Sequence, residues 1–194
     1  MLSISEYWKN SLNQKNPTKF IISKILIRLK ISKYFTINQD GYKLRFFPSA
    51  LSRLLWIDPN EPHTASIFFP DYLKKGDTVI DVGSNIGTVT LQCSVKIGSS
   101  GKVYSIEPNP KIFNFLLDNI RFNNKDNIKT FNTALGDSDG EIYFSDKISD
   151  VVNSIIENDS GVRVKITTLD KLLTKDDVIH LLKIDVQGYD KFVF

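Results

Sequence analysis

The chain is poor in residues that make cross-links and metal centres: its 194 residues include one cysteine, one methionine and two histidines. The lone Cys93 excludes an internal disulfide and fits a reducing, cytoplasmic compartment. It reads as a small buried core residue rather than a reactive thiol. His63 and His180 are scattered relative to it, which argues against a zinc site. Long hydrophobic runs are also lacking. The most apolar stretch, Phe20 to Ile31 (FIISKILIRLKI), is broken by Lys24 and Arg28 and is far too short to span a bilayer. The residues before it are polar and include Glu6, unlike a signal peptide. There is no internal repeat and no low-complexity tract. A hydrophobic content of 41% and a charged content of 24% are those of a soluble globular protein, and the length suffices for a substantial core.

The small net charge of +3 hides an asymmetry. Residues 1–47 carry nine Lys/Arg against two Asp/Glu, whereas the remainder carries sixteen against twenty. Within the basic part, residues 20–31 are expected to be helical, with Ile22, Ile25, Leu26 and Leu29 on one face and Lys24 and Arg28 on another. Two readings are open: a helix packed on the domain with solvated lysines, or peripheral contact of residues 20–31 with an anionic membrane surface. Nucleic acid is not an expected partner, because the body of the chain is acidic and no basic-aromatic groove motif occurs. Asp40-Gly41 marks a hairpin, and Tyr42 to Phe46 alternates as a strand. Leu51, Leu54, Leu55 and Trp56 then follow helical spacing among Pro48, Pro59, Pro62 and Pro70. Trp56 reads as core packing before substrate stacking.

The stretch VIDVGSNIGTVTL, Val79 to Leu91, reads as a buried strand, a glycine turn and the start of a helix. In doubly wound α/β folds, ligands bind beyond the carboxyl ends of such strands. A dinucleotide site wants G-x-G-x-x-G, whose second glycine admits the pyrophosphate; here Asn85 stands in its place. Asp81, just before the turn, is a poor neighbour for a pyrophosphate and a good one for a cation. S-adenosylmethionine carries an ammonium and a sulfonium and no phosphate. The expected cofactor-binding residues are therefore Asp81, Gly83, Ser84, Asn85 and Gly87, with Asp81 balancing the cofactor's positive end directly or through water. The competing reading is an ordinary tight βα turn.

A second strand, Lys102 to Ile106, closes on Glu107, about 20 residues after Gly87, the spacing at which a carboxylate bonds ribose hydroxyls. Taken alone, Glu107 reads as a solvated strand-end group. Asn109 and Pro110 then open a helix through Ile112, Phe115, Leu116, Asn119 and Ile120. Ile128 to Thr133 reads as a third strand, followed by Ala134 to Asp137, and Ala134 is expected to border the adenine. Asp139-Gly140 marks a hairpin into Glu141 to Phe144, and Val162 to Ile166 alternates as a half-exposed strand. His180 to Val186 (HLLKIDV) reads as a fourth, buried strand.

With LKKGDTVIDVGSNIG, YSIEPNP, TALGDSDGEIYF, TTLDKLL and LLKIDVQGYD in this order, the chain resembles the FkbM-type methyltransferases from roughly Asp40 to its end. The resemblance implies S-adenosylmethionine as cofactor, an O-methyltransferase activity on a hydroxyl of a saccharide or secondary metabolite, and a cap over the acceptor site ahead of the first strand. Two departures stand out. Gln187 takes the place of the family's usual Glu, which puts in doubt any role needing a carboxylate there. Asp190 keeps the charge of a second Glu on a shorter arm.

The expected architecture is α/β: residues 1–70 form a basic helical extension and cap, and residues 71–194 a Rossmann-like class I methyltransferase domain. Its family sheet is ordered 3-2-1-4-5-7-6, and only strands 1 to 4 are expected here. The carboxyl-terminal strands are read as missing, through truncation or supply by a partner chain completing the sheet. Asp185, ending strand 4 on the same crevice, is the candidate catalytic base or acceptor-orienting group. Its alternatives are capping the next turn or fixing the cofactor's methionine end. His180 lies at the opposite end of that strand, and His63 precedes strand 1. Two rival classes remain: a nicotinamide-dependent oxidoreductase, against which Asn85 speaks, and a non-catalytic fragment. Nucleic-acid adenine methylation is disfavoured, since Asp185-Val186-Gln187-Gly188 stands where a proline-rich motif is expected.

Overall fold

A computed structural model describes residues 15–60, 71–144, 155–156 and 161–186. His63 and the segment from Gln187 to Asp190 lie outside the described residues. Asn16 opens α1 (Pro17–Arg28), its side chain accepting the Lys19 N–H at 3.2 Å, with Pro17 at the first turn. The helix starts three residues before the apolar stretch and stops short of Ile31, where Lys30 enters the left-handed region at φ 58°. Its buried residues are Ser23 and Leu26. Ile22, Ile25 and Leu29, expected to share Leu26's buried face, are 41%, 51% and 60% exposed. Among the described residues no helix is long and apolar enough to cross a membrane.

A hairpin follows: β1 (Thr36–Gln39) pairs antiparallel with β2 (Tyr42–Arg45) around Gly41, at φ 79°. Ser49 caps α2 (Ala50–Ile57) by accepting the Ser52 N–H. Trp56 of α2 stacks on Phe46 at 5.0 Å and meets Phe35 edge-on at 5.7 Å, so its ring serves packing.

The central sheet holds β3 (Thr78–Val82), β4 (Lys102–Ile106), β5 (Ile128–Phe131) and β10 (Leu181–Ile184). Its order is β10-β3-β4-β5, every pair parallel. In chain order of these four strands that is 4-1-2-3, the expected Rossmann-like arrangement. The crossovers carry α3 (Thr88–Ile97) and α4 (Pro110–Phe122), the latter capped by Asn109, which accepts N–H bonds from Lys111 and Ile112. β10 is shorter than its apolar run and half-buried instead of buried, because it pairs on one side only among the described residues.

A second sheet has the order β6-β9-β7-β8, from β6 (Ala134–Leu135), β7 (Gly140–Phe144), β8 (Ile155–Ile156) and β9 (Val162–Thr167). Asp139-Gly140 leads into β7 as expected. It does not join a hairpin, because β9 lies between β6 and β7. A short helix, α5 (Leu169–Leu172), leads back toward β10.

The N-terminal segment shares its core with the Rossmann-like part: Leu26, Ile37, Leu44, Phe46 and Leu55 cluster with Ile86, Leu91, Ile112, Leu116 and Ile120. Polar bonds join them too. Asn119 accepts the Arg45 N–H at 2.8 Å, and its amide donates to Ile86 O at 2.8 Å. Asn123 accepts the Lys43 N–H at 2.9 Å and donates to Lys43 O at 2.7 Å. Asn119 of α4 and Asn123, its C-cap, thus satisfy backbone groups of Lys43 and Arg45 on the outer edge of β2.

Candidate functional site

The strand registers build the site. Val82 is paired with both Ile106 and Ile184, so Gly83, Glu107 and Asp185 each follow an aligned strand end. These three expected site residues therefore share one carboxyl edge, where ligands of this fold bind. The turn between β3 and α3 has three residues in the left-handed region: Gly83 at φ 75°, Asn85 at 50° and Gly87 at 92°. Asparagine tolerates this conformation better than most side chains. Asn85 also accepts the Ile86 N–H at its own Oδ1, at 2.8 Å.

Glu107 closes the site from the β4 side. Its carboxylate accepts the Asn85 N–H at 2.9 Å on one oxygen and the Asn109 N–H at 2.9 Å on the other. The residue is only 6% exposed, unlike the solvated strand-end group it resembles when read alone. Burial pushes its pKa up to about 7; the two amides and Lys183 pull it back, and Asp81 adds to the rise. Asn132, just past β5, donates to the carbonyls of Glu107 and Pro108 at 2.8 and 3.0 Å, fixing this corner.

Beneath the turn lies a polar row contributed by four separate strands. Lys183, Asp81, Ser105 and Thr130 are successive register partners across all four strands. Asp81 is fully buried. Its Oδ2 accepts the Thr90 hydroxyl at 2.6 Å, and Lys183 Nζ lies 3.0 Å from Oδ1. Lys183 thus forms a buried ion pair with Asp81. Ser84, also buried, donates to Asp81 O at 2.7 Å and meets the Ser105 hydroxyl at 2.8 Å. The side chains of Asp81 and Ser84 accordingly support the turn from below. Asp81, expected to act on the cofactor directly or through water, and Ser84, expected to present backbone and polar groups to it, both have their side chains under the turn, bonded to protein partners.

The glycines have protein neighbours. A Cβ on Gly83 would collide with the carbonyl of Asp185, and one on Gly87 would lie 2.7 Å from Leu116 Cδ1. Gly83 makes room for the end of β10 and Gly87 for α4. Asp185 is exposed beyond β10, its N–H held by Val82 O at 3.1 Å. Ala134 is buried in the second sheet, paired with Ile166, two residues past Asn132. A separate cleft of about 720 Å³, lined by residues such as Asn132, Thr133, Glu141 and Lys165, opens nearby, and no residue of the glycine turn lines it.

Elsewhere the chemistry is structural. His180 sits at the opposite end of the sheet, where its Nδ1 accepts the Thr78 N–H at 3.0 Å. Cys93 is fully buried and burial pushes its pKa up to about 12, which leaves it a thiol. Among the described residues no three His, Cys, Asp or Glu side chains gather as metal ligands.

The parallel sheet, the glycine turn and the carboxylate closing the second strand define a Rossmann-like domain with a candidate site at the strand ends. Residues 81–194 match the Methyltransferase FkbM domain, and the chain belongs to that family. The hexuronic acid methyltransferase AglP of Haloferax volcanii is 28% identical over 155 residues, covering 78% of this chain and 63% of that protein. A probable cobalt-precorrin-6B C(15)-methyltransferase of Saccharolobus solfataricus is 43% identical over 42 residues, 22% of this chain and 21% of its own length. The chain thus spans less than two-thirds of either curated relative. The crystal structure of a methyltransferase FkbM from Methylobacillus flagellatus aligns over 73% of this chain and 36% of its own, with 14% identity and a TM-score of 0.47.

Proposed function

We propose that this chain is the S-adenosylmethionine-binding part of an O-methyltransferase that acts on a saccharide hydroxyl. The observation that carries the reading is Glu107: a buried carboxylate at the end of β4, bonded to the backbone of the glycine turn. Each of its oxygens accepts one backbone N–H and has a second lone pair, so the group can also accept a ribose diol. The cation bonded to the turn, Lys183, is engaged by protein partners, and Asn85 replaces the glycine that a pyrophosphate needs. These features fit a nucleoside without phosphates, such as S-adenosylmethionine, better than a nicotinamide dinucleotide.

Bound at this edge, the cofactor supplies an electrophilic methyl group. Glu107 would hold its ribose, and the Gly83–Gly87 turn would seat the remainder. Asp185, exposed at the end of β10 and adjacent to Gly83, would orient the acceptor hydroxyl and take its proton. The saccharide class is supported by the similarity to a relative named for hexuronic acid methylation. The test is incubation with S-adenosylmethionine and a panel of hexuronate- and hexose-terminated glycans, read by mass spectrometry. A mass gain of one methylene on a glycan, lost in Asp185→Asn, supports the reading. Transfer to no saccharide, or full activity in Asp185→Asn, contradicts the substrate class or the role of Asp185, respectively.

A further inference from the structure

The peptide groups at the turn are gripped from two sides. On the β4 side, Ile106 O accepts both the Gly83 N–H at 2.9 Å and the Ser84 N–H at 3.0 Å. On the β10 side, Lys183 Nζ donates to Val82 O at 3.1 Å and to Gly83 O at 2.8 Å. The Val82–Gly83 and Gly83–Ser84 peptides are therefore each held at the carbonyl by Lys183 and at the N–H by Ile106. The backbone ladder alone cannot do this. Asp185 N–H reaches Val82 O, but at Gly83 the chain of β10 passes so close that a Cβ would strike Asp185 O. Gly83 O thus receives a side-chain donor where the sheet's own pairing ends.

We infer that Lys183 is a positioning residue for the cofactor: its ammonium clamps the two peptide groups on which the ligand-facing turn hangs, and Asp81 serves as its anchor. The inference rests on the cofactor reading above. Three features set this apart from a buried ion pair that only adds stability. The shortest contact of the ammonium is with Gly83 O, beyond the strand, at 2.8 Å. The same ammonium also reaches Val82 O at 3.1 Å, so it bonds both carbonyls of the turn besides pairing with Asp81 at 3.0 Å. Asn85, whose N–H meets Glu107, follows two residues after the clamped glycine, so a rotation of the Gly83 peptide moves the Asn85 N–H away from that carboxylate.

The test separates clamp from charge pair. S-adenosylmethionine affinity is measured by calorimetry, and thermal unfolding in parallel, for the wild-type chain, Lys183→Met, Asp81→Asn and the Asp81→Asn/Lys183→Met double variant. Lys183→Met leaves Asp81 buried and unpaired; the double variant removes both charges. The clamp requires that Lys183→Met bind at least tenfold more weakly and melt lower. It requires the double variant to recover melting temperature without recovering affinity. It requires Asp81→Asn, which loses the anchor's charge but keeps the lysine within reach of both carbonyls, to lose less affinity than Lys183→Met. Wild-type affinity in Lys183→Met or in the double variant overturns the inference, as does an Asp81→Asn loss equal to that of Lys183→Met. If the wild-type chain itself does not bind, the cofactor reading fails first and the inference falls with it.

Discussion

Ile106 and Lys183 hold the same two peptide groups from opposite sides: one carbonyl oxygen takes two N–H groups, and one ammonium serves the two carbonyls. The glycine turn is consequently fixed by its neighbours in the sheet, and the site residues that follow it inherit that rigidity.

Glu107→Ala is expected to weaken S-adenosylmethionine binding by about 1.5–3 kcal/mol, the scale of hydrogen bonds to a charged group. The comparison is made by calorimetry on samples with native circular dichroism. Unchanged affinity removes Glu107 from the site.

Glu107 also gives a pH dependence. Its folded pKa of about 7 lies above the ordinary value of 4.5. The folded state therefore binds the proton more tightly, and the stabilisation is fully present below pH 4.5 and is lost as pH rises through about 7. The change is on the order of 3 kcal/mol. Urea unfolding at pH 5 and pH 8 should show this fall in the wild-type chain and a smaller one in Glu107→Gln. Asp177, held low first by the Tyr104 hydroxyl, is already ionised in both states over that interval and does not contribute. Equal slopes for wild type and variant contradict the assignment.

Gly83→Ala combines a positive φ of 75° with a collision against the backbone of Asp185. Neither can relax cheaply, and a loss of about 3 kcal/mol or more is expected. Gly87→Ala is strained by its φ of 92°, but its added methyl meets only the flexible end of Leu116, so it should cost less. Thermal unfolding of the two variants gives the ranking.

Asn119→Ala removes two bonds, from Arg45 N–H and to Ile86 O, at a fully buried position. About 2–4 kcal/mol is expected, because both backbone partners lose their contacts. On α1, Leu26→Ala should cost about 2–3 kcal/mol, whereas Ile25→Ser, at a residue 51% exposed, should stay within about 0.5 kcal/mol. A larger effect at Ile25 than at Leu26 contradicts the orientation of the helix.

The parallel sheet was legible because its signals are local and agree. Val79, Ile80 and Val82 carry strand propensity, Gly83 and Gly87 mark a turn, and Asn109 caps the helix that Pro110 opens. Glu107 was legible from its distance to the turn. The polar row was not, since Lys183, Asp81, Ser105 and Thr130 come from four strands whose register is set by tertiary pairing. A lysine inside the apolar run of HLLKIDV is the signal that was available, being costly to bury without partners. The rotation of α1 was hidden for a similar reason. Ile22, Ile25, Leu26 and Leu29 fit one stripe on a helical wheel, but the Ser23 hydroxyl, which donates to Phe20 O at 2.6 Å, allows that smaller residue to face inward beside Leu26.

The most direct measurement is calorimetric titration of the chain with S-adenosylmethionine, with NADH as the control. The account predicts saturable binding of S-adenosylmethionine that is at least about tenfold weaker in Glu107→Ala, and none of NADH. Binding of NADH, or failure of a folded, monodisperse sample to bind S-adenosylmethionine, would contradict it.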